Sequence, residues 1–317
     1  MLDTTLDAPA VAKETRLQQL RRALITPALS SRAAWCFAGL WLLAALVLIA
    51  IGHGTQVVLS SASLVGFLLF SALTVLVTEP PAERAAPVER RSLWLQVAIT
   101  LVFIAITGYT ALAFHNLIAP QAAAIPLWTP LVEWFGGLGE RFLPVEVVGS
   151  PFNVVANPLK YFILPLLALL LAGARPRDLG FARGHRSWRV IALWCAIPAA
   201  VWIVGLASGA LTPARLGRRL LSNAFQNGFF EEFLFRGALQ TRLSALWDRE
   251  WALVAQALVF GLWHLGADAR LMDGDIVAGL AATIVIQATM GLGFGLMFQR
   301  TRNLLASSAA HVAINSL

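Results

Sequence analysis

Three places in the chain put reactive side chains among residues that are otherwise apolar. Glu231, Glu232 and Arg236 interrupt a run that holds Phe229, Phe230, Phe233, Leu234 and Phe235; His264 ends the stretch Phe260-Gly-Leu-Trp; and His311 stands four residues before Asn315. A glutamate can take a proton from water and pass it to a leaving group, an imidazole can share that work or hold a metal, and an asparagine amide can donate to a developing oxyanion. These are the groups a hydrolase needs, and none of them requires a serine or cysteine nucleophile. Spacing separates the two carboxylates. Glu232 and Arg236 are four apart with the acid nearer the amino terminus, the favourable order for a helical ion pair, whereas Glu231 points about 100° around the helix from its neighbour. One glutamate therefore has a partner and the other is the candidate base. His311 and Asn315 share one helix face.

The elements that must position these groups are membrane helices. The 317 residues are 58% apolar and 13% charged, with a mean hydropathy of +0.72, which excludes an ordinary soluble domain. Crossing a hydrocarbon core of roughly 30 Å takes about 20 residues of helix. Nine candidate spans fit, near 33–52, 56–77, 93–114, 158–174, 189–209, 220–246, 251–266, 277–299 and 303–317, the seventh and ninth being short. The expected fold is an all-α, polytopic transmembrane helical bundle of about nine spans. Of the 17 acidic residues, Glu231 and Glu232 alone fall deep inside an apolar run, and Arg236 is the arginine so placed. On insertion scales each such ionised group costs about 2.5 to 3.5 kcal/mol, so the sixth helix must turn them toward other helices or a wet cavity.

The net charge of +7 is spread over short connections rather than gathered on one face, which argues against nucleic acid as a partner. With nine spans and a cytoplasmic amino terminus, seventeen of the 24 basic residues lie on inner segments and five on outer ones. That bias points to a multi-pass protein of the cell (inner) membrane with its amino terminus in the cytoplasm. Residues 1–31 lack the apolar core of a removed signal peptide and read as a cytoplasmic tail. Residues 32–157 read as additional spans plus an outer loop, in which Leu131, Trp134, Phe135 and Leu138 recur at the spacing of an interfacial amphipathic helix. Cys36 and Cys195 read as small buried hydrophobes, and His53, His115 and His185 as interfacial or solvated groups.

Glu231, His264 and His311 are a possible metal set, leaving a fourth position for water around zinc, yet no His-Glu-x-x-His pair is present. The residues leave a metal-bound and a carboxylate-activated water both open. They also leave open a non-catalytic scaffold or immunity protein with a structural polar cluster, and a proton-coupled transporter, although no inverted repeat supports the latter.

The order Glu231-Glu232-x-x-x-Arg236, then Phe260-x-x-x-His264, then His311-x-x-x-Asn315 resembles the CPBP family of CAAX prenyl proteases and bacteriocin-processing proteins, the ABI-type intramembrane proteases. Gly291-Leu-Gly-Phe-Gly295 and Thr301-Arg-Asn-Leu304 look like the glycine-rich helix and turn before that family's last motif. The likeness covers about 175–317 and implies a catalytic helical core over 158–317. It further implies hydrolysis of a peptide or protein substrate that enters from the lipid bilayer, with Glu231 and His264 activating water, His311 and Asn315 binding the oxyanion, and Glu232, Arg236 and Phe260 supporting the site.

Overall fold

A computed structural model of the chain describes residues 29–78 and 90–317. The tail expected over 1–31 lies outside the described residues as far as position 28, and so does the connection that carries Arg84.

Every regular element among the described residues is helical. Apart from the single turns Val145–Val148 and Pro176–Leu179, these are in chain order α1 (Arg32–Ala50), α2 (Gly54–Val77), α3 (Arg90–Phe114), α4 (Trp128–Phe142), α5 (Pro151–Leu171), α6 (Ser187–Ala207), α7 (213–246), α8 (Arg249–Trp263), α9 (Leu265–Leu271), α10 (Ile276–Thr301) and α11 (Leu304–Asn315). Six of them, α1, α2, α3, α5, α6 and α10, are long and apolar enough to cross a membrane. The pair α8 and α9, bent by 56° at its break, makes a seventh if it is one span. This is the architecture of a multi-pass membrane protein. The two runs not counted among these are α7, which is laden with polar groups, and α11, which has 12 residues and is short for a crossing.

The outer helices α1, α2 and α6 expose Leu42, Leu46, Val58, Leu68, Ile197 and Val204, among others, which is the surface a hydrocarbon solvent permits. The same surface corrects the reading of the cysteines. Cys36 is exposed and Cys195 half-buried, both as free thiols, because an apolar residue on a membrane helix can face lipid as readily as core. Polar pins hold the bundle together instead. Trp194 of α6 donates to Thr74 of α2 at 2.7 Å, and Trp263 of α8 donates to Thr107 of α3 at 2.8 Å.

At the centre stands α7, whose segment 233–240 is buried on every side. It alternates regular turns with two wide-turn π segments, Ala224–Gly228 and Phe233–Gln240, and the turn Phe229–Glu232 with both glutamates lies between them. Single π turns re-aim side chains and recur at functional sites. Close approach of α8 and α10 is made possible by Gly291. A Cβ there would sit 2.9 Å from Cα of Ala257, so only hydrogen fits.

Two charged residues expected in connections are buried. Arg242 is 3% exposed and donates to Gln96 Oε1 at 3.0 Å and to the carbonyls of Asp178 and Gly237, both at 2.9 Å. Asp268 is 2% exposed on α9 and accepts from Gln287 Nε2 at 3.2 Å. Neither position looks buried from local hydropathy, since each lies where a helix bends or ends against its neighbours. The helix expected around Leu131 to Leu138 is present as α4, with Trp134 on its exposed side and Gly136 and Gly139 packed against α5.

Candidate functional site

The three motifs converge on one point. Glu232, wholly buried, is held by Arg236 Nη1 at 3.0 Å from its Oε1, and the same oxygen accepts from His311 Nδ1 at 2.9 Å. Arg236 is equally buried, lies 4.4 Å above the Phe260 ring and 5.5 Å from that of Phe294, and reaches the Gly291 carbonyl at 3.4 Å. The two rings cover the faces of the guanidinium and the carbonyl takes one of its donors, while Arg236 Nε and Glu232 Oε2 are buried without a hydrogen bond, so the pair depends on its own attraction and on these ring contacts. The Phe294 ring also stacks on His311, at 4.9 Å and 21° between planes. Glu232, Arg236, Phe260 and Phe294 thus form a plug that fixes His311 in position. With Nδ1 donating to a carboxylate, its Nε2 faces the other glutamate.

His264 is fixed in a different way. It sits in the break between α8 and α9 with φ −86° and ψ 6°, the bridge region of backbone space. Its Nδ1 lies 2.8 Å from the Phe260 carbonyl, which can only accept, so this nitrogen carries the proton and Nε2 is left as an acceptor in the neutral ring. The Phe260 and Trp263 rings pack on the imidazole at 4.6 and 4.8 Å. Trp263 is itself tied to Thr107 and faces Gly108, where a Cβ would stand 3.1 Å from the indole. Helix α3 therefore sets the angle at which the second histidine is presented.

Both Nε2 atoms look toward Glu231. Its Oε2 is 3.8 Å from His264 Nε2 and 3.9 Å from His311 Nε2, beyond hydrogen-bonding distance, and it is buried without a protein hydrogen bond. This carboxylate opens on a cavity of about 650 Å³ lined also by His264, His311, Asn315, Lys160, Tyr161 and Asn157. Asn315 is exposed at the rim, one turn beyond His311. The end of α11 that carries it is held by Asn223, which donates to the Asn315 carbonyl at 3.1 Å, and by Arg219, which donates to the Leu317 carbonyl at 2.7 Å.

Zinc would demand a closer donor set. Two ligands at about 2.1 Å in tetrahedral geometry lie about 3.4 Å apart, closer than the separations here. Among the described residues no group of three or more His, Cys, Asp or Glu side chains could hold a metal ion. The geometry therefore does not support the zinc considered for Glu231, His264 and His311, and no step below is routed through a metal.

All seven expected residues fall in or against this site: Glu231, His264, His311 and Asn315 line the cavity, and Glu232, Arg236 and Phe260 lie directly behind it. Sequence reasoning missed Phe294, Tyr161, Lys160 and His115. Phe294 lies in the quoted glycine-rich stretch, where an aromatic between glycines marks a close helix contact. His115, expected to be interfacial or solvated, lines the cavity instead, and burial together with the charge of Arg270 pushes its imidazole below the ordinary histidine range. Lys160 and Tyr161 come from α5 and carry no motif at all.

Residues 213–317 match the family model described as Type II CAAX prenyl endopeptidase Rce1-like. The match contains all three motifs and agrees with the CPBP resemblance, while α1 to α6 lie outside it. No curated protein and no solved structure matches the chain significantly.

Proposed function

We propose that this protein is an intramembrane endopeptidase that hydrolyses a peptide bond of a membrane-associated or lipid-linked substrate, using a water activated by Glu231 and His264. The observation that carries the reading is the Glu231 Oε2 atom: buried, without a protein hydrogen bond, under 4 Å from two imidazole nitrogens, and facing a cavity among membrane helices.

A water in front of Glu231 donates one proton toward the carboxylate and is oriented by the lone pair on His264 Nε2. As its oxygen attacks the peptide carbonyl, Glu231 takes the proton, and the carbonyl oxygen becomes an oxyanion. His311 donates to that oxygen through Nε2 and Asn315 through its amide. To donate there while Nδ1 donates to Glu232, His311 must carry both protons, and the Glu232 carboxylate supplies the counter-charge. Collapse of the tetrahedral species expels the amine, which receives the proton from Glu231. The base of the first step is the acid of the second. Arg236 and Phe260 take no part in the proton transfers; they hold Glu232 and His264 at the stated angles.

On this reading 158–317 is the catalytic core, α3 and α4 complete the cavity wall, and the bias of basic residues supports a cytoplasmic amino terminus at the inner membrane. Glu231→Gln keeps shape and one acceptor but cannot accept the proton. Comparing peptide termini in membranes that contain the wild type or Glu231→Gln should reveal cleavages confined to the wild type. If the substituted protein supports the same cleavages, the cluster is structural, as in a scaffold or immunity protein.

A further inference from the structure

The cavity holds a second charged group that the proposed reaction does not use. Lys160 sits on α5, in a π segment, Leu159–Ile163. Successive residues on a π turn are rotated less than on an α turn, so Lys160 and Tyr161 both face the cavity. Among the described residues the Lys160 ammonium makes no ion pair and no hydrogen bond; its contact is with the face of the Tyr161 ring, 5.0 Å away. Glu133 of α4 lines the same cavity, but it is exposed and forms no ion pair with Lys160. An ammonium with three donors is poorly served by one aromatic face, and placed within a membrane bundle it calls for an anion.

The position of that anion relative to the proposed chemistry follows from the neighbours. The Lys160 ammonium lies on one side of the Tyr161 ring, and on the other side Tyr161 meets Trp263, which in turn packs on His264 at 4.8 Å. Tyr161 thus separates Lys160 from the His264 side of the cavity, its ring set edge-on to Trp263 at 5.2 Å. A ligand that runs along this wall from His264 to Lys160 passes the Tyr161 ring.

We infer that Lys160 is a subsite for a carboxylate carried by the substrate peptide, set apart from the scissile bond by the width of Tyr161. This rests on the endopeptidase reading and deepens it. The lysine makes the protease selective for a peptide with a negative charge at a fixed distance from the cleaved bond, either an acidic side chain or the chain-terminal carboxylate. Tyr161 is the spacer that sets the distance, and Asn153 and Asn157 of the same helix add polar, uncharged groups to the cavity lining.

The test uses a peptide spanning a cleavage that depends on Glu231, synthesised in three forms: with its native carboxylates, with a terminal carboxamide, and with each acidic side chain replaced by its amide. The purified full-length protein and Lys160→Met are assayed in zwitterionic detergent micelles and again with anionic phospholipid added. One neutralised form should raise the wild-type KM by about 10- to 100-fold with kcat little changed, the range of one charge-assisted hydrogen bond. Lys160→Met should treat that form and the native peptide alike, and Lys160→Arg should restore the preference. Which form loses affinity identifies the carboxylate. Equal KM for all three forms in the wild type overturns the inference, with no need of a folded variant, as does discrimination that survives in Lys160→Met. A KM effect of Lys160→Met that follows anionic lipid and ignores the peptide's charge overturns it in favour of a lipid headgroup. Failure of the endopeptidase reading is separate, because then no cleavage depends on Glu231 at all.

Discussion

Replacing Arg236 with methionine tests the idea that a buried charge plug supports the site. The side chains of Arg236 and Glu232 are both at 0% exposure and 3.0 Å apart, so Arg236→Met leaves Glu232 without its strongest partner in a medium of low dielectric. Removing one member of such a pair typically costs about 3 to 5 kcal/mol. The lost contacts to the Phe260 and Phe294 rings add to this, and the volume and hydrophobicity of methionine offset part of it. The double variant Glu232→Gln with Arg236→Met should recover at least about half of the loss, since no uncompensated charge remains and the glutamine oxygen still accepts from His311 Nδ1. Reversible unfolding in mixed micelles by a denaturing detergent gives the free energies of wild type, both single variants and the double variant. A cost under about 1 kcal/mol for Arg236→Met, or a double variant as costly as the sum of the singles, would refute the argument, because the plug would then be a set of independent contacts.

Four further outcomes follow from the same geometry. Thr107→Val removes the acceptor of the Trp263 indole and leaves a buried donor unpaired, so it should cost about 1 to 3 kcal/mol and lower kcat through His264, read by the same unfolding assay and by turnover. Gly291→Ala should destabilise α8 against α10 by more than about 1 kcal/mol, since the added carbon meets Ala257 backbone at 2.9 Å; unchanged stability would show that the helices can separate freely. Asp268→Asn should be neutral or stabilising at pH 7, because it removes a buried charge held by one hydrogen bond while an oxygen remains for Gln287. His115 has its imidazole held below the usual value in the fold, so the unfolded chain binds more protons as pH falls below about 6.5 and stability drops there. His115→Gln should flatten the stability profile between about pH 7 and 5, and a profile identical to the wild type would count against this assignment.

The polar cluster was legible because cost and spacing act together. A glutamate pair and an arginine inside an apolar run have few tolerable places to go, and the interval from Glu232 to Arg236 names the pair before any coordinates do. The histidines were legible for the same reason. What local sequence does not carry is rotation. Lys160 falls at the start of the expected span 158–174 and nothing in its neighbours announces a π turn, and Arg242 and Asp268 looked like connection residues because their burial is decided by Gln96, more than a hundred positions away, and by Gln287 across a bend. Cys36 was misjudged since hydropathy reports solubility in oil but not which oil, lipid or protein. The long runs located the helices, with ends off by as much as seven residues at Pro151 and Pro213, while α7 and α11, whose polar content or brevity sets them apart from ordinary spans, are the two that carry five of the seven expected side chains: Glu231, Glu232, Arg236, His311 and Asn315.

The hydrogen bond from Trp263 to Thr107 has an architectural consequence. The stretch that carries every recognisable motif begins at Pro213, yet one wall of its working chamber, and the strut that sets the elbow at His264, belong to α3. The recognisable third of the molecule is thus not a transplantable cassette. A chimera that grafts 213–317 onto foreign membrane helices should inherit the letters and lose the elbow angle, unless residues 90–171 travel with it.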